Sequence, residues 1–244
     1  MWNFKKVKKP IVFIGFFLGI GLSHAGAYDD FFRAIMGDDA RSVQALLQRG
    51  FDANTVNPDG LPALMLALRV PAPKVADVLI RWPQTQVEVR NAQDESPLML
   101  AALRGQLDWV KKLVDRDADV NKTGWAPLHY AATGGHVPVI EYLLEHSAYI
   151  DAESPNGTTP LMMAAMYGSP EAVKHLIQAG ADLQIKNGAN MTALDFAQRG
   201  SRPNNIELMQ EGLRREAERD SRKKAAAAAL SQTSPAQAAP SSGR

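Results

Sequence analysis

The chain has 244 residues, 45% of them hydrophobic, which suffices for the core of one or two domains or of a modest repeat array. Its formal charge is +1, but Lys5, Lys6, Lys8 and Lys9 precede the body; from Tyr28 onward 23 basic residues face 26 acidic ones, and a net charge of −3 excludes the electrostatic footprint of a nucleic-acid binder. With no cysteine, disulfides, thiolate metal sites and lipid-modified cysteines are excluded, so stability has to come from packing.

The N-terminus has three zones: a basic start, the apolar run IVFIGFFLGIGL from Ile11 to Leu22, and small residues from Ser23 to Ala27. This is the layout of a secretory signal peptide. The apolar run is about 12 residues against the roughly 20 that a helix needs to cross a bilayer, which disfavours a stable membrane span. Ala25 and Ala27 flank Gly26 with small side chains, so cleavage is expected after Ala27, with Ala25 as the second choice. Residues 1–27 are thus expected to be removed. No twin-arginine pair is present, which points to export in an unfolded state. The mature chain is expected in the periplasm or secreted.

Beyond Tyr28 two blocks alternate. The first recurs as GLPALMLAL from Gly60, DESPLMLAALRGQ from Asp94, TGWAPLHYAATGGH from Thr123, GTTPLMMAAMYGS from Gly157 and NMTALDFAQRG from Asn190, aligning Leu64, Leu98, Leu128, Leu161 and Leu194. The second recurs as SVQALLQRGFDAN from Ser42, VKKLVDRDADVN from Val110, VIEYLLEHSAYID from Val139 and AVKHLIQAGADLQ from Ala172. Thr159 and Pro160 form a helix start, the hydroxyl capping free amides and the proline preset for the first turn. Leu161, Ala164 and Ala165 share one face. Gly168 is expected to close that helix in a left-handed conformation. Val173, Leu176 and Ile177 form the apolar stripe of a second helix, closed by Gly180. Each hairpin is too small to bury its own apolar face, so neighbours must supply the core.

These blocks resemble the ankyrin repeat, with TPLMMAA and APLHYAA as the strongest matches, over roughly Tyr28 to Leu213. The resemblance implies an all-α ankyrin-repeat solenoid of about five to six helix-turn-helix repeats joined by β-turn fingers. It implies an N-terminal capping repeat over 28–57, repeats over 58–201 and a C-terminal capping and charged helix over 202–230. The polar stretch 231–244 is expected to be disordered. Several departures stand out. Gly37-Asp38-Asp39 lengthens the first helix turn, Pro71 and Pro73 suggest a shifted second helix in the second repeat, and the 30-residue spacing between Leu98 and Leu128 predicts a blunt finger at Lys122 to Trp125.

No motif for catalysis or a cofactor emerges, and no metal site is expected. His24 leaves with the leader. The resemblance gives His129 a structural role, bonding backbone groups between adjacent loops, and puts His136 in a turn. His146 and His175 have no carboxylate or histidine at ligand spacing in the sequence. Asp52, Asp117, Asp119, Asp151 and Asp182 recur at matching turn positions, a sign of turn chemistry and not of a carboxylate pair. Met65, Met99 and Met162 stand where the consensus has histidine. They fit either core filling or a soft contact surface.

In the ankyrin family the contact surface is usually the concave side, built from finger tips and the exposed face of the first helices. Carried onto this chain, the partner-binding residues are Leu61, Arg69, Glu95, Leu103, Arg104, Trp125, Met166, Tyr167 and Met191, with Trp125 and Tyr167 as aromatic anchors. Trp109 is placed in the core, at the position of Ile140. The expected function is an exported protein-binding module or scaffold without enzymatic activity, whose partner is another protein. Alternatives are a periplasmic inhibitor or immunity protein against a toxic enzyme and, in a different class, an enzyme with an unrecognised site. The basic residues between Arg214 and Lys224 belong either to a solvated capping helix or to a weak contact for acidic lipid.

Overall fold

A computed structural model of the chain describes residues 20–232, with side chains over residues 26–228. The basic start, most of the apolar run of the expected leader and nearly all of the expected tail lie outside the described residues. The chain divides into two compact units, Met1–Thr85 and Gln86–Arg244. Among the described residues the regular structure is helical, with one isolated β-bridge between Val56 and Pro62.

The first unit holds α1 (Ile20–Met36), α2 (Ala40–Gln48), α3 (Ala63–Arg69) and α4 (Pro73–Arg81). Phe31, Ile35, Val43 and Leu47 are buried between the first pair, and the Phe31 ring lies 4.6 Å from that of Phe51. The Gly37-Asp38-Asp39 turn serves two helices. Asp39 caps α2 by accepting from the backbone N–H groups of Arg41 and Ser42 and from the Ser42 hydroxyl, which together hold its carboxyl below the usual carboxylate range. Asp38 accepts from the N–H groups of Lys74 and Val75 at 2.8 and 2.9 Å, satisfying the free amides that open α4. The expected shift of α4 does not occur. Pro73 opens it nine residues after Leu64, the offset that separates Leu107 from Leu98 in the next pair, because proline at the first helical position fits the helix start.

The second unit continues with α5 (Pro97–Leu103), α6 (Leu107–Val114), α7 (Pro127–Gly134), α8 (Val137–Glu145), α9 (Pro160–Tyr167), α10 (Pro170–Gln178), α11 (Ala193–Arg199) and α12 (Pro203–Gln232). The first helices α5, α7, α9 and α11 stack in sequence order, and α6, α8, α10 and α12 form a second layer behind them. The core is the aliphatic seam between layers: Leu98, Leu128 and Leu161 from one side, Val110, Leu113, Ile140, Leu143, Val173 and Leu176 from the other. Alanine pairs such as Ala131-Ala132 and Ala164-Ala165 are fully buried, since only a small side chain lets neighbouring first helices approach.

The helix ends explain how the stack closes. Gly180 is left-handed, with φ +99, and ends α10 as the sequence predicts. Gly168 is not left-handed: its φ is −76 and its ψ −174. Its requirement is space, because a Cβ there would strike the carbonyl oxygen of Ala132 and the backbone of Ala164. Carbonyls left free at the ends of first helices receive donors from the following hairpin: His136 Nε2 bonds the Leu103 oxygen at 3.0 Å, and Arg202 reaches the oxygens of Met166 and Tyr167, both at 3.1 Å. Buried Asn205 adds a 2.9 Å bond to the Ala165 oxygen. Met209 and Gly212 of α12 are buried, and from Ala217 to Ala228 its residues are exposed.

The loops are built on short polar side chains. Asn57, Asn91 and Asn187 each accept from the N–H groups two and four residues on, folding a finger tip, and Ser154 does the equivalent work for the finger ending at Thr158. A backbone bond closes each of these four fingers, as in Asn91 N–H to the Glu95 oxygen. The stretch 121–126 makes no such bond and is blunt, as its three missing residues predict. Asp52, Asp119 and Asp182 accept from the N–H two residues on, which is turn chemistry. No helix among the described residues is long and apolar enough to cross a membrane.

Candidate protein-binding face

The third residue of each first helix sets the geometry of the finger above it. His129 is fully buried. Its Nδ1 accepts from Ala126 N–H at 3.1 Å, so Nε2 carries the proton and donates to the Thr158 carbonyl of the next finger at 2.9 Å. Burial lowers its pKa, which favours this neutral form. The methionines at this position are buried too. The Met99 sulfur accepts from Ser96 N–H at 3.1 Å and the Met162 sulfur from Thr159 N–H at 3.4 Å, copying the Nδ1 half of the histidine's work. At Met65 the capping residue is Pro62, which has no N–H to give. In α11, Asp195 accepts from both the N–H and the hydroxyl of Thr192 at 2.7 Å. The contact-surface role considered for Met65, Met99 and Met162 is therefore ruled out by burial.

One position further on, each first helix of the second unit turns outward, whereas Leu66 of α3 is buried. Leu100, Tyr130, Met163 and Phe196 are half-buried. Three and four residues later on the same face come Leu103 with Arg104, Thr133 with Gly134, Met166 with Tyr167, and Arg199 with Gly200. The expected set contains the second and third of these rows in part and misses the first. Leucine, tyrosine, methionine and phenylalanine recur there at one register, next to a third position that is buried in α5, α7 and α9, and residues so apolar read as core from the sequence alone. The four helices stack side by side, so the rows form an apolar strip across the second unit. Tyr167 is 51% exposed, its neighbour Met166 is half-buried, and Leu103, two helices away on α5, is half-buried too.

The finger residues divide. Trp125 is half-buried with its ring edge-on to His129, 5.2 Å between centroids. Met191 is half-buried and its sulfur lies 3.7 Å from Arg199 Nη1. Glu95 is engaged, accepting from the Tyr130 hydroxyl at 3.1 Å and from Asn91 Nδ2 at 2.7 Å. Burial, and then the Glu95 charge, push the Tyr130 pKa upward and keep its hydroxyl a donor. Asp94 pairs with Lys122, which holds its carboxyl below the usual range, and with Arg90. Leu61 and Arg69 belong to the first unit. Leu61 is only 7% exposed, because its N–H and carbonyl both close the Asn57 finger and turn the side chain inward. It offers no contact surface. Arg69 is exposed.

Two further expectations change. Trp109 is half-buried and aligns with Val139, since α6 and α8 open at Leu107 and Val137; Val110 is the counterpart of Ile140, and both are fully buried. His175 does have a carboxylate neighbour, Glu141 of the preceding hairpin, 3.5 Å from its Nδ1. It is a single pair, and no group of three potential metal ligands occurs among the described residues.

The family profile for ankyrin repeats in three-copy blocks matches residues 31–123, 71–155, 117–187 and 150–213. The chain belongs to the ankyrin-repeat family. Ankyrin repeats are protein–protein interaction modules, and the fold is typically a non-enzymatic scaffold. The chain is 34% identical over 119 residues to Ankyrin repeat and SAM domain-containing protein 6 of Mus musculus, covering 47% of this chain and 13% of that protein. It is 29% identical over 161 residues to the Nuclear factor NF-kappa-B p105 subunit of Gallus gallus, covering 63% of this chain and 16% of the relative. The chain thus spans only a small part of the length of these two relatives. The human ASB11 ankyrin repeat domain superimposes with a TM-score of 0.65 and 25% identity over 74% of this chain and 81% of that domain.

Proposed function

We propose that this chain is an exported ankyrin-repeat module that binds another protein through the strip on its first helices, with Leu103, Arg104, Trp125, Met166, Tyr167 and Met191 among the contacts. The observation that carries the proposal is the strip itself: four stacked helices in the second unit all turn large apolar or aromatic side chains outward at one register. Stability does not require this. Half-exposed tyrosine, methionine and phenylalanine leave apolar surface in water that a partner would cover, and aromatic anchors of this kind dominate interface energies. Trp125 adds a rigid edge above the strip.

Export rests on the sequence of residues 1–27. Among the described side chains of α1 the buried ones, Phe31, Ala34 and Ile35, all follow Ala27. Cleavage at Ala27 removes none of them. Two measurements test the proposal. Mass spectrometry of the protein from its native compartment should give a chain starting at Tyr28; an intact Met1 start would remove the export half. Crosslinking in that compartment should trap one or few proteins, lost in a Trp125→Ala, Tyr167→Ala double variant that keeps its circular dichroism spectrum. Undiminished capture by the variant would move the binding site elsewhere.

A further inference from the structure

The charge along the strip has one sign. Arg104 closes α5 and Arg199 ends α11; both side chains are exposed, and neither is within ion-pair distance of a carboxylate among the described residues. A third arginine, Arg202, sits at the same helix ends, held by the carbonyls of Met166 and Tyr167. Across α5, α7, α9 and α11 the sole acidic side chain is Asp195, at the opposite end of its helix and already bonded to Thr192. The finger carboxylates nearest the strip are spoken for: Asp94 by Lys122 and Arg90, Glu95 by Tyr130 and Asn91. Apolar side chains therefore run between Arg104 and Arg199, neither of which pairs with a carboxylate among the described residues.

We infer that this strip takes an extended segment of a partner protein with an aspartate or glutamate near each end, the two carboxylates meeting Arg104 and Arg199, and apolar residues facing the strip between them. The inference rests on the protein-binding role proposed above and specifies the chemistry of what is bound. Three helix-to-helix steps of 8–10 Å separate α5 from α11, about 24–30 Å in all. An extended segment rises about 3.3 Å per residue, so about eight or nine residues span both arginines. The extended backbone sends every second side chain to the same side, so the positions facing the strip between the two carboxylates are apolar and the intervening ones face away. A basic or strongly polar segment would leave the arginines opposed or the apolar row uncovered.

A displayed library of random peptides of about twelve residues, selected against the full chain, tests this. Enriched peptides should carry Asp or Glu about eight residues apart with apolar residues at every second position between them, and should lose about five- to tenfold in affinity on an Arg104→Glu, Arg199→Glu variant, with weaker binding at higher salt. Replacing their acidic residues by lysine should restore binding to that variant. Both arginines are exposed, and Arg104→Gln, Arg199→Gln serves if reversal disturbs the fold. Enriched peptides that are neutral or basic, or indifferent to the arginines while lost on Met166→Ala, Tyr167→Ala, overturn the acidic preference and leave the binding face standing. A selection yielding no peptide sensitive to either pair of substitutions overturns both.

Discussion

Replacing His129 by methionine separates the two bonds of a buried imidazole. The side-chain volume is nearly kept, and the sulfur can take over the Ala126 N–H, as Met99 and Met162 do for Ser96 and Thr159. What is lost is the Nε2–H donor to the Thr158 carbonyl. That oxygen is not orphaned, because Ser154 N–H also bonds it at 3.0 Å. The loss is thus one net hydrogen bond, about 0.5–1.5 kcal/mol, and not the larger penalty of an unsatisfied buried acceptor. For a chain of this size it corresponds to roughly 1–6 °C in melting temperature. The pH dependence is more decisive. The folded pKa of His129 is lowered by burial, whereas the unfolded chain takes up a proton below about pH 6.5. Between that value and the lower folded pKa the unfolded state binds more protons, so the stability that His129 contributes is full above about pH 6.5 and declines as pH falls. Urea denaturation followed by circular dichroism should give a wild-type advantage that is largest near about pH 7.5 and smaller near about pH 5.5. An advantage that stays constant or grows on acidification would mean the imidazole is charged in the folded protein, and the tautomer argued here would be wrong.

Gly168→Ala should cost about 1–3 kcal/mol in a thermal melt, since the added methyl meets backbone on two sides; a neutral result would show that α9 and α7 can separate. Mild peroxide followed by peptide mass spectrometry should oxidise Met36, which is 62% exposed, well before Met65, Met99, Met162 and Met209, all fully buried. Early sulfoxide at Met99 or Met162 would contradict their bonding to backbone amides. Truncation after Glu216 should leave the melting temperature unchanged, because residues 217–228, which follow in α12, are exposed, whereas truncation after Arg202 should lower it by removing Asn205, Met209 and Gly212 from the packing on α10 and α11. Equal effects of the two would show that the projecting half of α12 is packed.

The fold was legible because its determinants are local. Thr159-Pro160, the alanine pairs and the closing glycines act within one hairpin, and their recurrence tells how hairpins stack. Where the sequence misled, the determinant lay in the neighbouring hairpin. Gly168 looks like a left-handed terminator, yet it is glycine because the Ala132 carbonyl of the preceding first helix presses against it. Pro71 and Pro73 look disruptive, yet Asp38, more than thirty residues earlier, caps the helix that Pro73 begins. Aligning Trp109 with Ile140 puts it in the core, but the helix starts shift it one register to Val139, and Val110 holds the buried position. Of the binding face, the rows ending each first helix could be counted back from glycine. The row of Leu100, Tyr130, Met163 and Phe196 could not, since residues so apolar read as core until the helix phase is fixed.

The third position of the first helices links stability to the face. Histidine there does two things: it accepts from its own helix start and donates to the next finger. Methionine and aspartate do only the first, since a thioether and a carboxylate have no hydrogen to give. In the second unit the side-chain tie from this position to a following finger is therefore made once, from His129 to Thr158, and it sits beneath Trp125, whose ring rests against the same imidazole. Met99 and Met162, on either side, cap their helices without holding the finger that follows. The blunt stretch at 121–126 and the finger at 154–158 are thus joined at the point where the aromatic anchor stands. A partner meeting Trp125 meets a surface already fixed and loses little ordering entropy there. His129→Met should therefore weaken peptide binding at the strip mainly through a faster dissociation rate while Arg104 and Arg199 still set its charge preference. An unchanged rate would mean that Trp125 is held by its own packing and owes nothing to the histidine.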